Sequence, residues 1–213
     1  MLIFGFSGKL GSGKDYLAKN IFLPLLYAKL SEKKTLFLSF ADRLKEEYTA
    51  RENIKYEDLY EKKTDIVREK LQSLADELRS KYGEDYFVKC LRFQINLHKK
   101  RNQVECIIIT DVRFPEEVKM IKEMGGKVYR IEAPLRNIKR LQNESKGDES
   151  VLKQISSHRS EIVLDTFKEF DGIIKNDVTD NPEEACYALI QEQRKSAMPR
   201  DVLSIDLNTL FVR

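Results

Sequence analysis

The stretch "LIFGFSGKLGSGKD", residues 2–15, sets a short apolar, β-rich run directly against a glycine loop that ends in Lys14 and Asp15. The apolar-periodic "DYLAKNIFLPLLYAKL" that begins at Asp15 reads as a helix. Strand, glycine loop and helix N-terminus in immediate succession make an anion cradle. Consecutive backbone N–H groups point inward, the helix dipole adds its positive end, and Lys14 supplies a full charge. Glycines at 8, 11 and 13 let the backbone approach a phosphate with no side chain in the way. Gly8, Gly13 and Lys14 stand at the fixed positions of G-x-x-x-x-G-K-[ST], with Ser12 inside the loop. The final position departs from that pattern, because Asp15 replaces a hydroxyl. A bare carboxylate repels phosphate, so Asp15 marks either a degenerate site or a magnesium ligand, for which a hard oxygen donor is suited.

The rest of the chain alternates in the same way. "KTLFLSF" (34–40), "VECIIIT" (104–110), "KVYRIE" (127–132) and "FDGIIKND" (170–177) read as further strands. The run 104–110 is apolar throughout, as expected of a strand covered on both faces. Helices are expected at 64–83, closing on Gly83, from about 85 to 100, at 115–126 and from about 181 to 195. Pro24 is expected to kink or shorten the first helix, and Tyr16 and Phe22 read as core. The fold class is α/β: a three-layer sandwich with a central parallel sheet of about five strands and right-handed crossovers, in one domain. Ligands then belong at the carboxyl ends of the strands. Residues 42–100 form a largely helical, charged insert. The stretch 135–160 has little apolar content and reads as a mobile surface excursion. Residues 197–213 form a C-terminal extension, a candidate edge strand, packed arm or homodimer contact.

Composition narrows the partners. In 213 residues, 38 Lys and Arg against 35 Asp and Glu leave a formal charge of +3, which gives no reason to expect nucleic acid or a membrane surface. Cys90, Cys106 and Cys186 are odd in number and widely spaced, as free thiols of a reducing compartment are. No apolar run approaches a membrane span, so a cytoplasmic location is expected, or the host's cytoplasm for a viral chain.

Asp111 directly follows the 104–110 strand, where a second carboxylate can hold magnesium or its waters. Arg113, two residues on, can clamp a phosphate in a bidentate fork. Arg136 and Arg140 lie one helical turn apart in 135–160 and could close over phosphates to exclude water.

Four stretches resemble known kinases: "SGKD" (12–15), "REKLQSLADELRSKYGEDYFVKCL" (68–91), "ITDVRFPEEVKMIKEMGGKVYRI" (109–131) and "HRSEIVLDTFKEFDGIIKND" (158–177). Together they resemble the viral and phage-type deoxynucleoside monophosphate kinases, a branch of the P-loop kinases. The chain is also similar to the animal-type phosphomevalonate kinases, through "SGKD", Leu44 with Lys45, and Leu164 to Asp171. The resemblance implies ATP as phosphoryl donor, magnesium, and a small phosphorylated acceptor held partly by the insert. It implies donor binding by Gly8, Gly11, Ser12, Gly13, Lys14 and Asp15, with Asn176 near the adenine. It further implies acceptor contacts from Asp42, Lys45, Arg68, Gln72, Asp111, Arg113, His158 and Glu161, metal contacts from Asp15 and Asp111, and a lid carrying Arg136 and Arg140 over residues 135–160. Arg68 with Gln72, "DYFV" (85–88) and the His158–Glu161 stretch fit the nucleotide kinases better. A nucleotide-binding protein without catalysis is the non-enzymatic alternative.

Overall fold

A computed structural model describes residues 1–27, 34–52, 54, 59, 65–102, 104–146 and 148–197. Five strands, β1 (Leu2–Ser7), β2 (Thr35–Leu38), β3 (Cys106–Val112), β4 (Lys127–Glu132) and β5 (Gly172–Lys175), form one sheet in the order β2-β3-β1-β4-β5. Every neighbouring pair is parallel. This is the α/β, helix-covered parallel sheet that the alternation of patterns implies. After β1 the chain crosses past β3 to the sheet edge, and after β3 it crosses back past β1 to β4. The connections therefore diverge at the carboxyl ends of β1 and β3, which opens a crevice there.

The sheet is dressed on both faces. Ile3, Ile107, Ile109 and Val128 pack against helices α4 (Tyr86–Arg101) and α5 (Pro115–Glu123) through Leu91, Ile95, Val118 and Ile121. Phe4, Phe6, Ile108 and Ile131 face Leu17, Phe22 and Leu26 of α1, the continuous helix from Lys14 to Tyr27, and Cys186 and Ile190 of α9 (Pro182–Ala197). Ile107, Ile108 and Ile109 are fully buried in succession, and each contributes roughly 1.5–3 kcal/mol of burial free energy. A third apolar cluster lies in the insert, where Tyr48 of α2 (Asp42–Glu52) meets Leu71, Leu74 and Leu78 of α3 (Asp65–Tyr82) and Phe87 of α4. Helix α4 thus belongs to two clusters and joins the insert to the sheet.

Several expectations are refined. Helix α1 passes Pro24 unbroken: an α turn at Lys14–Leu17 widens to a π turn at Ala18–Phe22 and returns to α at Leu23–Tyr27. Pro24 has no N–H for the Asn20 carbonyl, and the wide turn, with Leu23 N–H bonded to the Ala18 carbonyl, accommodates the ring. Phe22 is core, whereas Tyr16 is 59% exposed. Strand β2 ends earlier than its apolar run because Ser39, Phe40 and Ala41 turn toward Asp111. The stretch read as a surface excursion is helical, with α6 (Pro134–Ser145), α7 (Glu149–Ser157) and the short α8 (Arg159–Ile162). All three thiols are free, with Cys106 and Cys186 buried and Cys90 partly so. Among the described residues no helix is long and apolar enough to cross a membrane. The 197–213 extension lies outside the described residues except for Ala197.

Candidate active site

The glycine loop sits at the end of β1, in the crevice between β1 and β3. Gly11 and Gly13 adopt φ of +81° and +77°, conformations that L side chains rarely take. Space is short as well: a Cβ on Gly13 would meet Asn176 Nδ2 at 2.7 Å, and one on Gly11 would meet the Arg140 Cβ at 2.5 Å. Asn176, buried at the end of β5, donates to the Ser12 carbonyl at 2.8 Å. The Asn137 amide donates to the Leu10 carbonyl at 2.6 Å, so α6 holds the loop from the other side. Arg136 reaches the same place: its guanidinium donates to the Asn176 carbonyl at 3.2 Å and borders Gly13. Arg140 lies against Gly11 and pairs with Glu144. The Ser12 hydroxyl is fully buried and has no hydrogen-bond partner among the described residues. An orphaned donor inside a glycine cradle fits a phosphate oxygen.

Lys14 is buried, and burial lowers its pKa from 10.5; the neighbouring Arg113 lowers it further, against the pull of Asp15, Glu161 and Asp111. An anion entering the loop would offset both effects by favouring the charged ammonium.

Next to the loop lies a cavity of about 670 Å³, lined by Lys14, Asp15, Asp42, Lys45, Asp111 and Arg113 among others. Asp15 Oδ1 accepts the Thr110 hydroxyl at 2.6 Å, which ties the loop's last residue to β3. Both oxygens of Asp111 accept hydrogen bonds. Its Oδ2 accepts from the Ser39 hydroxyl at 2.6 Å and from Ala41 N–H at 3.0 Å, and its Oδ1 accepts from Phe40 N–H at 3.1 Å. This carboxylate fixes the turn from β2 into α2. Asp42 accepts from Ser39 N–H at 2.8 Å and lies 3.9 Å from Lys45; burial nevertheless holds its pKa above the ordinary value. Arg113 pairs with Glu161, and its own N–H donates to Glu117 Oε2 at 2.6 Å. Glu117 is buried at the start of α5 and also accepts Phe114 N–H at 3.0 Å.

Gln72 and His158, two further expected contacts, do not line this cavity. Gln72 is exposed on α3. His158 caps α8, its Nδ1 accepting from Ser160 N–H at 3.3 Å and lying 2.8 Å from the Ser160 hydroxyl. Arg68 lies in the first turn of α3, and its side chain is outside the described residues.

Pattern reading missed Arg79, whose guanidinium is held between the Phe87 ring at 5.1 Å and the Phe114 ring at 5.2 Å on the cavity wall. Its signal was its place one turn after Ala75, beside the apolar face of α3. Asn137, Thr110, Lys19 and Glu117 were missed too, and only the three-dimensional neighbourhood identifies them.

Magnesium fits this donor set. Among the described residues no group of three or more His, Cys, Asp or Glu side chains is gathered for a metal. Magnesium bound with a nucleotide needs only one or two carboxylates, the rest of its shell being phosphate and water. Asp15, at the mouth of the loop, is placed to supply one.

A sequence model of the phosphomevalonate kinase family matches residues 6–127, a span that runs from β1 through the insert and β3 to the start of β4. A protein of Acanthamoeba polyphaga mimivirus, provisionally named a deoxynucleotide monophosphate kinase, is 26% identical over 116 residues. That alignment takes in 54% of this chain and 50% of the mimivirus protein, so the chain spans about half the length of this relative. Shikimate kinase from Bacteroides thetaiotaomicron superposes with a TM-score of 0.48 at 18% identity, over 92% of this chain and 98% of that one. Dephospho-CoA kinase from Campylobacter jejuni gives 0.46 at 19% identity, over 93% and 100%.

Proposed function

The chain belongs to the phosphomevalonate kinase family, and we propose that it transfers the γ-phosphoryl group of ATP to a (deoxy)nucleoside monophosphate, giving the diphosphate. The observation that carries this reading is the junction of two unlike halves at one point. The buried, electropositive loop with its orphaned Ser12 hydroxyl suits a triphosphate, and at Lys14 and Asp15 it adjoins a cavity whose lining includes Phe37, Phe40, Phe87 and Phe114. Aromatic walls with one stacked guanidinium suit a planar base, and the mimivirus relative's name supports the nucleotide acceptor.

Phosphoryl transfer asks a protein mainly to position two phosphates and neutralise the charge between them. Loop amides and Lys14 hold the donor. Arg113, directed by Glu161 and by the backbone bond to Glu117, presents a planar cation to the acceptor phosphate. Lys45 and Arg79 add charge to the lining of the same cavity. Arg136 and Arg140, already against the loop, cover the donor phosphates and exclude water. A bound magnesium ion would neutralise phosphate charge; Asp15 would hold it, while Asp111 steadies the 39–41 turn that faces it.

The family match favours a second reading, in which phosphomevalonate is the acceptor and Lys45 and Arg79 meet its carboxylate. A coupled assay of ADP release, run with a panel of nucleoside monophosphates and with phosphomevalonate, separates the two. Turnover with phosphomevalonate alone replaces the first reading by the second, and ATP binding without transfer to any acceptor refutes both.

A further inference from the structure

Glu161 touches both halves of the site with one carboxylate. Its Oε2 accepts the Leu10 N–H of the donor loop at 2.7 Å, and its Oε1 takes the Arg113 guanidinium. The side chain is only 11% exposed. Leu10 is held on its other side by Asn137, which donates to its carbonyl at 2.6 Å, immediately before the left-handed Gly11. The loop tip is therefore fixed through both polar groups of one residue. Among the described residues, the Arg113 side chain has besides Glu161 only long hydrogen-bond contacts, at 3.5 Å to the Ser160 carbonyl and hydroxyl. A second tether strengthens the same segment: Asp165 binds Lys9 of the loop at 2.6 Å and Arg130 of β4 at 3.2 Å. Residues 160–165 are thus braced against the donor loop at two points and direct the acceptor arginine from a third.

We propose that Glu161 is a positioning residue that couples donor and acceptor binding. Both of its oxygens are engaged by protein, so it acts through Leu10 and Arg113 rather than on a substrate. Whatever fixes the loop tip also fixes the carboxylate that directs Arg113, and by linkage a directed Arg113 favours the fixed loop tip. The proposal rests on the phosphoryl-transfer reading above.

The experiment uses the full chain with Glu161→Gln, Glu161→Ala, Arg113→Met and the Glu161→Gln/Arg113→Met double variant. The glutamine keeps an oxygen for Leu10 N–H but loses the charge that directs Arg113. Glu161→Gln is expected to raise the acceptor KM about tenfold and leave the ATP KM within about twofold, while Glu161→Ala raises both. The double variant is expected to match Arg113→Met alone in acceptor KM, because the pair acts as a unit. Multiplying effects in the double variant overturn the coupling. So does a Glu161→Gln enzyme with wild-type acceptor KM, or one that loses only thermal stability. If the wild type turns over no acceptor in the panel, the functional reading fails by itself. Calorimetric titration with magnesium ATP then still decides the loop half, since unchanged affinity in Glu161→Ala refutes it.

Discussion

The Asn176 side-chain amide donates to the Ser12 carbonyl at 2.8 Å, so the end of the last strand holds the backbone of the first loop across 164 residues of sequence. Both groups are buried, and the same asparagine bears on Gly13 from the side where a Cβ would collide.

Replacing Asn176 by alanine leaves the Ser12 carbonyl unpaired in a dry place, which costs about 1–3 kcal/mol. The loop loses its fixed geometry, and the ATP KM is expected to rise at least several-fold while the acceptor KM moves less. Urea unfolding and initial-rate kinetics read the two effects, and an unchanged ATP KM contradicts the role given to this bond.

Gly13→Ala places a methyl group 2.7 Å from Asn176 Nδ2 and 3.0 Å from the Arg136 guanidinium, at a φ of +77°. The left-handed backbone alone costs about 1–3 kcal/mol, and the collision displaces the two side chains that frame the loop. ATP binding is expected to be lost in calorimetry while the circular dichroism spectrum keeps its α/β form. Retained affinity would mean that the loop binds its anion in another shape.

Asp15→Ala removes the carboxylate at the loop mouth and leaves the Thr110 hydroxyl without its 2.6 Å partner. The concentration of magnesium needed for half-maximal rate should rise, and kcat should fall by about a hundredfold or more, the scale on which loss of one electrostatic group acts. Asp15→Ser, which restores a hydroxyl, should recover part of the rate. Near-wild-type turnover in the alanine variant sinks the assignment.

Glu117 titrates in an informative direction. Burial, and then the charge of Asp111, push its pKa up from 4.5 to about 8, against the two N–H groups that lower it. Between those values the folded chain keeps a proton that the unfolded chain has released. The contribution of this group to stability is therefore greatest below pH 4.5, declines as the pH rises, and is level above about 8. Glu117→Gln keeps an acceptor for Arg113 and Phe114 N–H and removes the titration. Unfolding free energies at pH 5 and pH 8 should differ more in the wild type than in the variant, and parallel profiles refute the shift.

Local chemistry made much of this molecule legible. The apolar run around Ile107–Ile109 declared a strand covered on both faces, and "LIFGFSGKLGSGKD" declared the loop, because burial and glycine geometry act over a few neighbouring residues. Lys14, Asp15, Asp111 and Arg113 were placed near one another by the rule that ligands gather at strand ends, and the structure sets them around one cavity. Gln72 and His158 show the limit. An amide on a helix and a lone histidine carry no local sign of which way they face, and here one is solvated and the other caps a helix. Arg79 was hidden among charged neighbours for the same reason. Its distinction is the pair of aromatic rings brought to it by α4 and by the residue before α5, and no window along the chain contains that meeting.

The π turn in α1 has a geometric consequence of its own. Ala18, Phe22 and Leu26 are buried at intervals of four, and at 3.6 residues per turn such a row drifts by about 40° each turn around an α-helix. The wide turn at Ala18–Phe22 takes up that drift, so the row stays on one side while the first turn keeps its own phase at the glycine loop. The helix works as two segments with a phase adjuster between them, one end indexed to the phosphate cradle and the other to the sheet.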